Sequence, residues 1–156
     1  MQRNLFRFEK LEVWQLARRF NHRVYVTAKT FPESERYALC PQLRRASVSV
    51  SSNIAEGSGR NSDGDFGHFL EIAYGSLMEV VSQLFIASDE GYLDCPTLDS
   101  LLTDADLIAA KIVSLSKSLG RQSRTTIRPS ESSVPRPLTP ALDSGARLST
   151  PRPSTQ

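Results

Sequence analysis

Arg44 and Arg45 stand side by side in the stretch from Gln42 to Arg60, QLRRASVSVSSNIAEGSGR. A guanidinium presents a planar fork of N–H donors that fits a phosphate or carboxylate two bonds at a time. Arg18, Arg19 and Arg23 supply three more forks upstream, and Arg60 ends the stretch. The chemistry these residues offer is anion binding, to the phosphates of RNA or DNA or to carboxylates of protein. Adjacent helical residues point about 100° apart, so Arg44 and Arg45 cannot share one direction. The two expectations are a salt bridge to acids of the third helix and contact with phosphate by at least one of the pair.

No residue set points to catalysis. His22 and His68 are isolated, with no HxxxH or ExxH spacing. Glu56 could serve as a base, but nothing near it in sequence supplies a nucleophile or metal. Cys40 and Cys95 form no CxxC pair and are expected as free thiols of a reducing compartment. Gly57-Ser58-Gly59-Arg60 before a helix start looks like a phosphate-binding turn. It lacks the GxxxxGK[ST] spacing and a preceding strand, so it is expected as an interhelical loop. The expectation is a non-enzyme with no catalytic residue, metal or cofactor.

The charge is partitioned. Residues 1–60 carry 11 Lys/Arg against 5 Asp/Glu, and residues 61–119 carry 2 against 10. The remaining residues return to net positive, and the sum is +2. Such a separation suits an anionic partner or self-association through opposite faces; neighbouring helices neutralising each other is the alternative. MQRNLFRFEK lacks the apolar h-region of a signal peptide, and no apolar run is expected to near the ~18 residues of a membrane span. A cytoplasmic protein without a membrane segment is expected.

Four helical patterns must position the arginines. The first, from about Phe8 to Lys29, repeats Val13, Ala17, Phe20, Val24 and Ala28 on one stripe. Phe31-Pro32 ends it. The second is expected from Pro41, where proline is tolerated at a first helical position, to about Glu56, with Gly57 as its stop. Leu43, Ala46, Val50 and Ile54 form its stripe. The third opens on Ser62-Asp63-Gly64-Asp65, a capping box with Asp in place of Glu, carries Phe66, Leu70, Ala73, Leu77, Val81 and Leu84, and closes at Gly91. The fourth repeats Leu98, Leu101, Ala105, Ile108, Ile112, Leu115 and Leu119 between Pro96 and Gly120. Short connections predict an all-α, antiparallel up-down-up-down four-helix bundle over residues 1–120. Residues 121–156, rich in Ser, Thr, Pro and Arg, are expected as a disordered tail. Asn53, Glu56, Gly57 and Gly75 read as structural: a polar contact, a partner for an arginine or the third helix, a stop, and a place where another backbone can approach. Trp14, Phe20, Tyr25 and Tyr74 read as core or subunit contacts.

FEKLEVWQLA, FPESERYAL, QLRRASVSVSSNIAEGSGR and FLEIAYGSLMEV, in that order and spacing, resemble the four-helix bundle proteins named after intervening sequences in 23S ribosomal RNA genes, also called S23-type. The resemblance covers about residues 6–119. Cys40-Pro41 and Ala38 depart from the family pattern, which often has a small polar pair and a glycine there. A related branch includes the accessory variability proteins of diversity-generating retroelements, which bind a reverse transcriptase. The resemblance implies a homopentamer around a central channel. With the basic residues it leads to an expected scaffold that binds RNA or DNA through Arg18, Arg19, Arg23, Arg44, Arg45 and Arg60. An adaptor that docks a reverse transcriptase is the alternative.

Overall fold

The computed structural model describes residues 6–126, with side chains through residue 120. Its helices are α1 (Glu12–Thr27), α2 (Leu39–Ser58), α3 (Asp63–Asp89) and α4 (Cys95–Thr126). Two single 3-10 turns, Arg7–Lys10 and Glu33–Tyr37, precede α1 and α2. No strand occurs among the described residues. α1 packs on α2 and α4, and α3 packs on α2 and α4. Among the described residues the backbones of the diagonal pairs α1/α3 and α2/α4 do not approach each other. This is the square arrangement that short connections force on four consecutive antiparallel helices.

The core consists of the expected stripes. Phe20, Leu43, Ile54, Phe66, Leu70, Leu77, Leu84, Leu101 and Ile108 are almost wholly excluded from water. Each large side chain of this kind contributes roughly 1.5–3 kcal/mol on burial. Val80 belongs to the core stripe of α3, while Val81, expected there, is only partly buried beside it. α3 has an 18-residue window of mean hydropathy 1.4, a third of it buried. By length and composition alone that window is apolar enough to cross a membrane, which corrects the expectation that no run comes near. In this fold α3 is a core helix with apolar residues left over on its outside.

Several boundaries move. α1 begins at Glu12 rather than near Phe8, because Leu11 is extended, with φ −81° and ψ 119°, and separates it from the preceding turn. α2 begins at Leu39, two residues before Pro41. Proline is tolerated there because the first four helical N–H groups have no intrahelical acceptor anyway. Glu35 meets one of them, accepting from the Leu39 N–H at 3.2 Å. α3 starts as expected: the Asp65 N–H donates to Ser62 Oγ at 3.0 Å. Gly91 closes it with φ +75°, and its N–H bonds the Ser88 carbonyl while that of Tyr92 bonds Ala87. That pair of bonds requires a residue in the left-handed region, which glycine enters without cost. α4 is capped by Asp94, whose carboxylate accepts from the Thr97 N–H at 2.8 Å. The hydrogen bonds from Thr97 hold its carboxyl below the usual range. α4 does not stop at Gly120 but runs to Thr126. The rest of the expected tail lies outside the described residues.

Gly57 does not stop α2. It lies inside the last turn, buried, and α2 continues to Ser58. A Cβ there would stand 2.6 Å from Phe69 Cβ and 2.7 Å from Phe66 Cδ2. The glycine lets α3 come against α2 at the hairpin between them. Gly75 is the opposite case: a Cβ would meet nothing within 4 Å, so no backbone of this chain approaches it. Gly57→Ala is expected to lower stability by about 1–3 kcal/mol through overpacking. Gly75→Ala is expected to raise it by up to about 1 kcal/mol through helix propensity. Urea unfolding of the two variants checks this, and shifts of the same sign would remove the packing explanation for Gly57.

Candidate functional site

The basic residues fall into two groups according to their neighbours. Arg23 and Arg60 are bound within the chain. Arg23 Nη1 and Nη2 of α1 donate to the Ser100 carbonyl at 3.3 Å and Ser100 Oγ at 2.8 Å, and Nη1 pairs with the Asp104 carboxylate of α4. About three turns away on the same interface, Lys111 of α4 pairs with Glu12 of α1 at 2.8 Å. Two ion pairs thus stitch α1 to α4. Arg60 pairs with Glu56 one turn back and lies over the Phe69 ring at 4.6 Å. It ties the α2–α3 loop to α3, and Glu56 has the arginine partner expected for it.

Arg18, Arg19, Arg44 and Arg45 have no carboxylate partner among the described residues. Arg18 lies over the Trp14 ring at 5.9 Å, one turn away on α1. Arg44 is half-buried in the α1/α2 groove, with its Cζ 5.5 Å from the centre of the Tyr25 ring. Its Nε is enclosed and makes no hydrogen bond. Arg19 and Arg45 are exposed. The expected salt bridge from Arg44 or Arg45 to α3 does not form. Arg44 lies on the side of α2 that faces α1, where Ser47 bonds Asn21, and α3 lies on the other side.

That other side of α2 carries the polar contact expected of Asn53. Its Nδ2 donates to the Ser49 carbonyl at 2.8 Å and to Ser49 Oγ at 3.0 Å. Ser49 Oγ meets Ser76 Oγ of α3 at 2.8 Å. Asn53, Ser49 and Ser76 form a hydrogen-bonded chain across the α2/α3 interface, and a buried polar group with partners avoids its desolvation cost. On the α1/α2 side Ser47, fully buried, donates to Asn21 Oδ1 at 2.9 Å. The small residues of the stretch are packing devices with hydroxyls aimed at each neighbouring helix.

The α1/α2 surface therefore holds cations with few anions to balance them. Glu12 and Glu56, the acids of these two helices, are each in an ion pair. Two ridges line the groove. Trp14, Arg18, Asn21, Tyr25 and Lys29 follow one another at helical spacing on the α1 side, and Arg44, Val48, Ser51 and Ala55 on the α2 side. The arginine–aromatic stacks were not legible beforehand. Trp14 and Arg18 are four apart, which is a signal, but nothing in sequence links Arg44 to Tyr25. Cys40 is buried with its thiol on the Ala28 carbonyl at 3.3 Å, and burial pushes its pKa up, which disfavours the reactive thiolate. Cys95 is exposed.

A family model described as 23S rRNA-intervening sequence protein matches residues 9–114. No curated protein matches the chain. A 1.70 Å crystal structure of a protein with unknown function from the S23 ribosomal protein family of Bacteroides thetaiotaomicron VPI-5482 is similar, with TM-score 0.63 and 24% identity. The similarity covers 67% of this chain and 98% of that one. At that identity it bears on the fold alone.

Arg23→Ala is expected to destabilise the bundle by about 1 kcal/mol, since it removes a half-exposed ion pair and two hydrogen bonds. Arg45→Ala is expected to stay within about 0.5 kcal/mol of the parent. Denaturant midpoints of the two variants measure the difference, and the reverse order would contradict the division of the arginines into bound and free.

Proposed function

The chain belongs to the 23S rRNA-intervening sequence protein family, and on that premise we propose that it is a non-enzymatic, homo-oligomeric scaffold that binds RNA or DNA electrostatically. Arg18, Arg19, Arg44 and Arg45 on the surface of α1 and α2 hold the phosphates, as in a ribonucleoprotein. The observation that carries this is that these four arginines have no acid partner among the described residues, where Arg23 and Arg60 have theirs. A cation already paired must give up its carboxylate to take a phosphate, whereas an unpaired one exchanges only water and counterions. Contacts of this kind position a backbone and read little sequence. The resemblance gives the expected assembly, a ring of five. Repetition around a ring multiplies a modest patch into a strong field for a polyanion.

The test is a salt titration of fluorescent RNA and DNA oligonucleotides against the purified assembly. The logarithm of the binding constant should fall linearly with that of the salt concentration, by about 0.7 per contact for single strands and 0.9 for duplexes. Arg45→Glu should weaken binding several-fold across unrelated sequences and reduce the slope by about one contact. Arg23→Glu should act on stability instead. An intact oligomer that binds neither nucleic acid at low salt would sink the proposal.

A further inference from the structure

We propose that the apolar seam between α3 and α4 docks, head to tail, onto the arginine-and-aromatic seam between α1 and α2 of a second copy of the chain. The proposal rests on the assembly part of the reading above and deepens it by naming the two faces.

The first observation is an apolar stripe that the core does not use. Tyr74, Met78, Val81 and Phe85 recur on α3 at spacings of four, three and four, flanking the buried stripe. Tyr74 and Met78 are each 38% exposed and Phe85 46%. Across the groove α4 contributes Ala109 and the 41%-exposed Val113, which line a cleft with Tyr74. Contiguous apolar surface of this kind is uncommon on a monomer and marks an interaction site.

The second observation is the charge around the seam. α3 carries five carboxylates and no lysine or arginine. Glu71 and Asp89 of α3 and Asp99 and Asp106 of α4 lie along the seam, exposed, with Lys117 at one end. Among the described residues Asp89, Asp99 and Asp106 have no cation partner. The α1/α2 seam is the complement: Arg18, Lys29 and Arg44 beside Trp14, the exposed Tyr25 and the exposed Val48.

The third is topological. Among the described residues no ion pair joins a cation of the α1/α2 seam to an acid of the α3/α4 seam, because the two seams face outward from different sides of the bundle. The two seams lie on opposite sides of the square, and each copy offers one of each. Pairing the α3/α4 seam with itself would set carboxylates against carboxylates, which is costly. A head-to-tail contact sets them against arginines and closes into a ring when the rotation allows. Arg18, Lys29 and Arg44 then face the neighbour, so in the assembled ring the phosphate contacts proposed above narrow to the other two arginines. Arg19 and Arg45 lie on other faces of α1 and α2 and stay open to phosphate.

The test uses nuclease-treated full-length protein and light-scattering mass. One variant, Arg18→Glu with Lys29→Glu, spoils the basic seam; the other, Met78→Glu with Phe85→Glu, spoils the apolar one. The wild type should assemble and each variant should be a monomer. An equimolar mixture should form a 1:1 heterodimer, since each variant keeps the face that the other lacks. Far-UV circular dichroism checks that each is folded; Val48→Glu and Val113→Glu replace a variant that is not. A folded variant that still assembles, or two folded monomers that do not pair, overturns the head-to-tail contact. If the wild type assembles in either of those cases, the assembly reading stands without these faces. A monomeric wild type overturns both.

Discussion

Four helices joined in up-down order pack as a square, and a square has diagonals. Among the described residues the backbone of α1 comes close to those of α2 and α4 but not to that of α3, and the backbones of α2 and α4 stay apart. The consequences run through the whole molecule because the charges are distributed by helix. α1 can match its glutamate and one arginine with α4, through Glu12–Lys111 and Arg23–Asp104. It cannot reach the acids of α3, the helix with five carboxylates and no basic residue. What remains is a bundle with basic residues left over on one side and acidic residues on the other. Packed helix axes stand about 8–10 Å apart and the side chains project outward from them, so the two faces are separated by more than the Debye length of ~8 Å in physiological salt. The two faces therefore act on partners as distinct surfaces.

The close approach of α2 and α3 is the local counterpart of this arrangement. At Gly57 the side chains of Phe66 and Phe69 occupy the space of a Cβ. Nearby, Ser49 and Ser76 bring their hydroxyls within 2.8 Å of each other across the same interface. Both contacts need residues with little or no side chain on the facing ridges. The SVSVSSN run, which adds little hydrophobic burial, supplies them for α2. Small residues give up some apolar area and in return allow backbone proximity and hydrogen bonds at fixed positions. Arg44 lies on the side of α2 away from this contact, while Arg45, one turn before Ser49, is exposed at its edge.

The core was legible in the sequence because its signal is periodic. The stripes of α1 and α2 were readable position by position, that of α4 at every position but the half-buried Leu115, and so was the capping of α3 by Ser62. Boundaries were less legible where a residue type has two uses. Glycine ends helices and also permits close contact. At Gly57 and Gly120 the first use was the expectation, whereas the helices run on to Ser58 and Thr126. Proline at position 41 fits the first helical residue, but it is equally tolerated two residues in, because the early N–H groups have no acceptor. The free arginines were legible as candidates and not as free. Whether a guanidinium has an acid depends on which helices are diagonal, and no local pattern in the sequence states that.

The outer stripe of α3 shows the same limit from the apolar side. Periodicity assigned Val81 to the core, yet Val80 takes that place and Val81 leads a second line with Tyr74, Met78 and Phe85. On a helix this apolar, nearly any register yields a plausible stripe, so hydrophobic spacing alone cannot separate the face that meets α2 and α4 from a face left outside. Packing decides it: a square bundle buries one sector of each helix, and α3 has more apolar residues than that sector holds. The surplus lies beside exposed carboxylates on the side opposite the free arginines. Burying it would remove apolar surface from water and set those acids against cations in the same contact, and neither gain is open to a single chain folded as a square.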